Sequence, residues 1–163
     1  MEVRSVELIV KALNDSGARY IIVGGIAVNA HGYVRMTRDV DIVLELESAN
    51  ILLGLEALFG IGYQMAIPVT AQEFADEETR ERWRDEKNMI VLKLWSDQHD
   101  RTPIDIFIYE PFNFTEELQR SEKMELNPKV FANIVSLKTL LSMKLAAARP
   151  QDLVDIHELQ RIP

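Results

Sequence analysis

The sequence predicts a single α+β domain, with a core over about residues 20–110 and two C-terminal helices over about 136–161. Three observations lead there. Apolar residues fall three or four apart at both ends of the chain, short apolar runs alternate with charge in between, and Gly or Pro punctuates the joins. At 163 residues the chain can bury one proper core but not two. Hydrophobic residues at 47% and charged residues at 27% are the balance of a soluble globular protein.

Taken in order, Val3, Val6, Val10 and Leu13 mark an amphipathic helix stopped at Gly17. "YIIVGG" is a short strand broken by two glycines, and "IAVNAHG" a helix closing at Gly32. "RDVDIVLEL" reads as a strand. "SANILLGLEALFGIG" is a helix capped by Ser48 and ending near Gly60 or Gly62. The charged stretch "TAQEFADEETRERWRDEKN" reads as part helix, part loop; its residues 73–88 fit an acceptor-binding flap or a plain exposed helix. "MIVLKLW" and "PIDIFIY" are strands joined by the polar turn "SDQHDRT", a hairpin. In the tail, Ser136 caps one helix and Pro150 suits the first turn of the next.

Composition narrows the chemistry. Cysteine is absent, which excludes disulfides, thiolate metal sites and cysteine nucleophiles and suits a cytoplasmic protein. The N-terminus has the pattern of neither a secretory signal nor a membrane span, so no membrane partner is expected. A net charge of −8 and a pI near 4.9 disfavour non-specific binding to long nucleic acid, which needs clustered Lys and Arg. Part of that negative balance fits a cation site.

The informative anomaly is acid inside apolar strands. Residues two apart in a strand share a face, so Asp39 and Asp41 project together, roughly 6.5 Å apart at the backbone by strand rise. Val40, Ile42 and Leu44 then face a core. Paired carboxylates withdrawn from water repel each other and are costly to desolvate, and a divalent cation removes that penalty. Oxygen ligands of this kind suit Mg²⁺ carried with substrate phosphates. Asp105 repeats the anomaly between Ile104 and Ile106. If its strand lies beside the first, three aspartates and two metal ions make the apparatus of in-line phosphoryl or nucleotidyl displacement. Gly24 and Gly25, at a strand-to-helix turn, would let a phosphate approach backbone N–H groups.

Val23-Gly24-Gly25, thirteen residues, then Asp39-Val40-Asp41-Ile42 resembles the signature of the DNA polymerase beta-like nucleotidyltransferase superfamily. Asp105 in "PIDIFI" looks like its third carboxylate. More narrowly, "HGYVRMTRDVDIVL" with "SMKLAAARPQDLVDIHEL" resembles a bacterial group with two branches. These are the abortive-infection toxins of toxin–antitoxin pairs and the small lincosamide-type antibiotic nucleotidyltransferases. The resemblance covers about residues 20–160. It implies a nucleotidyltransferase fold, a mixed β-sheet flanked by helices, with two Mg²⁺ ions and an NTP donor. The reaction it implies is transfer of a nucleoside monophosphate to a hydroxyl. Asp39 and Asp41 would hold both metals, Asp105 would bind one and help deprotonate the acceptor, and Gly24 and Gly25 would contact the triphosphate. In the toxin branch a lysine and an aspartate of the C-terminal helices join the site; Lys144 and Asp152 or Asp155 match, with Lys144 on phosphate.

Plainer roles stand beside these. Gly24-Gly25 also fits a tight turn, Asp39 a turn cap, and Asp105 an arginine pair. Arg35 and Arg38 precede the acid strand and suit either phosphate or solvent. Thr37 shapes the turn, and His31 suits nucleotide or helix-end packing. His99 and His157 lack metal-ligand spacing, and Trp83 and Trp95 read as core or rim. Lys144 fits an exposed helix position and Asp152 a cap. Two functions therefore compete. One is an active enzyme whose acceptor is a small molecule, an RNA end or a protein, as a homodimer or beside a cognate toxin or antitoxin. The other is a catalytically silent interaction partner or antitoxin. A magnesium phosphohydrolase is a third reading, disfavoured because the Gly-Gly element lies upstream of the acids.

Overall fold

The computed structural model of the chain describes residues 1–162; Pro163, last of the expected 1–163 domain, lies outside the described residues. Helix α1 (Val3–Ser16) buries Val6, Ile9, Val10 and Leu13 along one stripe. Gly17 stops it at φ +76°, its N–H donating to Asn14 O, a left-handed cap that favours glycine. Strand β1 (Tyr20–Ile22) is wholly buried and leads into the short helix α2 (Gly24–Ala30). Strand β2 (Val40–Leu44) and helix α3 (Ser48–Gly60) follow.

Two local expectations need correction, and one segment went without any. The cap of α3 is Glu47, whose carboxylate accepts from the N–H groups of Ala49 and Asn50; Ser48 instead donates to Ala75 O. The charged middle is helical almost throughout. Thr70 and Glu73 form a reciprocal capping box for α4 (Ala71–Ala75). After one intervening residue, Asp76, which caps Thr79 N–H, α5 runs Glu77–Lys87. Those caps satisfy the orphan donors that a loop reading would leave to water. The segment over 114–134, for which no elements were read, forms α6 (Phe114–Arg120), then the hairpin β6 (Glu122–Asn127) and β7 (Val130–Ile134).

Apart from the two-residue β3 (Gln64–Met65), which was not expected, the remaining elements match the reading. Short β3, β4 (Val91–Trp95) and β5 (Ile104–Phe107) build the near edge, with β4 and β5 antiparallel across the polar turn. Ser136 caps α7 (Leu137–Ala147) through Thr139 N–H, and Pro150 opens α8 (Pro150–Leu159).

All seven strands join one mixed sheet in the order β3-β4-β5-β2-β1-β7-β6. β2 runs parallel to β5 and β1 parallel to β7, while the other neighbours are antiparallel. Val40, Ile42 and Leu44 are fully buried. Gly54 of α3 lies against Leu44, close enough that a Cβ would stand 3.2 Å from its side chain. That face is therefore covered by α3 and its partner α1. The odd-numbered face of β2 looks toward α2, which packs on α7, and α7 packs on α8. No helix among the described residues is long and apolar enough to cross a membrane.

Candidate active site

The parallel pairing of β2 and β5 sets Val40 against Ile104, Asp41 against Asp105 and Ile42 against Ile106. Residues in register on parallel neighbours share a face and lie about 4.8 Å apart at the backbone. Asp41 and Asp105 are thus brought together by strand register, with apolar residues above and below them on the opposite face. Asp39 lies just ahead of β2, in a bend and not within the strand, yet its charge acts on Asp41. β2 is held on both sides: Val40 N–H donates to Pro103 O, just ahead of β5, at 2.9 Å, and Val23 N–H, just past β1, to Asp41 O at 3.0 Å.

The two glycines are required by packing. Gly24 takes φ +62°, and a Cβ there would stand 1.9 Å from Asp41 Oδ2. A Cβ on Gly25 would stand 2.2 Å from Thr37 Oγ1. Bare backbone lets the acid strand and the 37–39 segment close against the start of α2, where the Gly25 N–H favours the charged form of the Asp41 carboxyl. So the tight-turn reading and the site reading describe the same contact.

Burial pushes the Asp41 carboxyl up to about 6, aided by the charges of Asp39 and Asp105 and opposed by the Gly25 N–H and by Arg149. Beside it, Lys93 on β4 is paired in register with Asp105, its Nζ 2.9 Å from Asp105 Oδ1. Contact with Asp105 raises the Lys93 ammonium above its ordinary value. The approach angle is outside that of a hydrogen bond, and Oδ1 remains a buried acceptor without a directed donor. Among the described residues, no three His, Asp or Glu side chains close on a point tightly enough to cage a metal ion.

The C-terminal candidates assemble elsewhere. Arg35 clamps Asp155 with two parallel bonds, Nε–Oδ1 at 2.6 Å and Nη2–Oδ2 at 2.7 Å. Lys144 Nζ lies 2.6 Å from Asp155 Oδ2 and 3.0 Å from Asp152 Oδ1, with its side chain only 6% exposed. Gln151 donates to Asp155, and Arg149 Nε donates to Asp152 at 2.8 Å. Burial alone would raise the Asp155 carboxyl, but its bonds to Arg35, Lys144 and Gln151 bring it down to about 2. Asp152 is lowered likewise, by Arg149 and Lys144 against its burial.

The exposed-helix reading of Lys144 is corrected, since its ammonium is buried and engaged by two carboxylates; Arg35, read for phosphate or solvent, clamps Asp155. His31 holds Val135 O at 2.8 Å with its ring buried, which is helix-end packing. Thr37 fills the space beside Gly25, and exposed Arg38 makes no hydrogen bond or ion pair among the described residues. Two cations of the site went unread. Arg149, largely exposed, sits at the α7–α8 corner where its charge acts on Asp41 and Asp39. Lys93 was legible by the same signal as Asp105, a lone charge between Leu92 and Leu94 in an apolar strand.

No protein-family model matches the chain, and no curated protein does. Solved structures do. The lincosamide antibiotic adenylyltransferase LnuA, solved with lincomycin bound, superposes with a TM-score of 0.64 over 98% of this chain and 97% of that one, at 14% identity. ANT(2'')-Ia in complex with adenylyl-2''-tobramycin gives 0.59 over 96% and 86%, at 13% identity. An antigenic nucleotidyltransferase-like protein from Paracoccidioides brasiliensis gives 0.56 over 97% and 75%, at 17% identity. Such low identities speak to architecture alone. A mixed sheet flanked by helices, matched over nearly all of this chain, gives it a nucleotidyltransferase fold.

Proposed function

We propose that this chain is a magnesium-dependent nucleotidyltransferase that moves a nucleoside monophosphate from an NTP to a hydroxyl acceptor. One observation carries the reading. Asp41 and Asp105 stand in register on parallel strands, with Asp39 adjacent, and Asp41 lacks enough positive charge to hold it at an ordinary carboxylate value. A group in that condition suits a cation supplied from outside. The residues fit the ion by three features: the underneutralised Asp41, the undirected buried Oδ1 of Asp105, and a glycine corner that would clash with any side chain.

Asp39 and Asp41 would hold Mg²⁺, with Asp105 beside them for a second ion. The metal would supply charge stabilisation at the phosphoryl oxygens. The chain's own groups do the rest. Asp105 accepts the proton of the acceptor hydroxyl as its oxygen bonds to the α-phosphorus and pyrophosphate leaves. Arg38 and Arg149, both exposed at the rim, orient phosphate oxygens by charged hydrogen bonds. Lys144, Asp152, Asp155 and Arg35 hold the α7–α8 corner and the 33–39 segment in place. A small polyhydroxylated acceptor is favoured over an RNA end or a protein, since the similar folds were solved with lincomycin and adenylyl-tobramycin.

The test is pyrophosphate release from each NTP with Mg²⁺ and a panel of lincosamides and aminoglycosides, comparing wild type with Asp41→Asn. Acceptor-dependent release lost in the variant supports the reading; NTP and Mg²⁺ stabilising both proteins equally against heat would sink it. A second reading, a silent interaction partner or antitoxin, draws on the ammonium already at Asp105 and the lack of a closed cation cage among the described residues. Co-purification of a stable protein partner with no turnover would favour it.

A further inference from the structure

Lys93 has no role in the proposed reaction, yet its position is specific. It occupies the β4 place directly opposite Asp105 and brings an ammonium to 2.9 Å from the carboxylate oxygen that has no directed donor. Its charge also acts on Asp39 and Asp41. Its side chain is half exposed, so the head group is held by attraction to the acids and not by packing. The neighbouring charges are few: Asp39, Asp41 and Asp105 on the acid side, and Arg149 from the α7–α8 corner. A monovalent cation lodged at one carboxylate of a three-acid patch competes with any ion that patch would share.

We propose that Lys93 is a resident counter-cation that takes the place of one of the two divalent ions at Asp105. The resting chain then binds a single divalent ion, at Asp39 and Asp41, and Lys93 sets that number. The inference deepens the nucleotidyltransferase reading and rests on Asp39 and Asp41 being cation ligands. It also supplies a role for the off-angle contact: an ion pair lacking a directed hydrogen bond is displaced more readily than a locked one.

The experiment counts Mn²⁺ bound to the full chain, with no nucleotide, by electron paramagnetic resonance of the free ion and by titration calorimetry. Wild type and Lys93→Arg, which keeps the charge, should each bind one ion. Lys93→Met, and Lys93→Gln should the first fold poorly, should gain a second ion or bind at least tenfold more tightly. Adding Asp105→Asn to the Lys93→Met chain should abolish the gain. Identical stoichiometry and affinity in wild type and the neutral variants would overturn the proposal, as would two ions in wild type. Turnover is read separately. A Mn²⁺ gain without turnover upholds the Lys93 role while the enzymatic reading fails, and turnover with unchanged Mn²⁺ counts does the reverse.

Discussion

Two pairs of aspartates, both withdrawn from water, meet opposite company in this molecule. On α8, Asp155 receives Arg35, Lys144 and Gln151, and Asp152 receives Lys144 and Arg149. On the central strands, Asp41 has one backbone N–H and a more distant arginine set against two neighbouring acids, and Asp105 has one off-angle ammonium. The consequence is a carboxyl at about 2 in the first region and one at about 6 in the second. The lesson is one of purpose. Carboxylates that hold a fold together are saturated with donors; the central pair is left short of positive charge, the condition our proposed cation would relieve.

The comparison breaks first at Asp155. Replacing it with Ala should strand two buried cations and cost roughly 3–5 kcal/mol, read from urea unfolding. A loss under 1 kcal/mol would mean that the network is decoration. Asp41→Asn should do the opposite and stabilise the metal-free chain at pH 7 by about 2 kcal/mol, while abolishing stabilisation by Mg²⁺ and NTP. An unchanged melting temperature there would erase the contrast between the regions.

The same contrast has a pH signature. The depressed carboxyl of Asp155 contributes stability that is complete above about pH 4 and lost as pH falls toward 2. The raised carboxyl of Asp41 works in reverse: its penalty is absent below about pH 4 and grows as pH rises through 6. Metal-free wild type should therefore be most stable near pH 4 with respect to these two groups. Asp41→Asn should flatten the neutral side and Asp155→Asn the acid side, by thermal melts across pH.

Gly24→Ala should cost about 1–2 kcal/mol through left-handed backbone strain and displace the Asp41 carboxylate, lowering Mg²⁺ and NTP stabilisation as well. The smallest effect belongs to the exposed Lys11–Asp15 pair on α1. Lys11→Ala should leave the urea midpoint unmoved, since such solvated pairs contribute little.

What the sequence disclosed tracks how each residue announces itself. Gly17, the Gly24-Gly25 corner, Ser136 and Pro150 state their conformations locally, so α1, α2, α7 and α8 were readable. Asp41 and Asp105 stood out because a charge interrupts apolar alternation, but their registry depends on a pairing of distant strands that only the folded sheet reveals. The β6–β7 hairpin was silent because β6 alternates charged and half-buried residues, Glu122, Lys123, Met124 and Glu125, without a buried apolar row. The charged middle misled for a related reason. Most of its side chains are solvated, and its order comes from the Thr70 and Asp76 caps and from buried Phe74, Arg80 and Trp83. The partners of Lys144 were not legible, because Asp152 and Asp155 reach it only once α8 folds back on α7.

The parallel pairing of β1 with β7 joins Ile22 to Ile134, more than a hundred residues apart in the chain. During translation, β1, β2, β4 and β5 can meet while β7 is still inside the ribosome. Until residues 130–134 emerge, β1 presents an open edge of N–H and C=O groups to whatever else is nearby. A nascent chain stalled in that interval should be a chaperone client, and emergence of β7 should end that exposure.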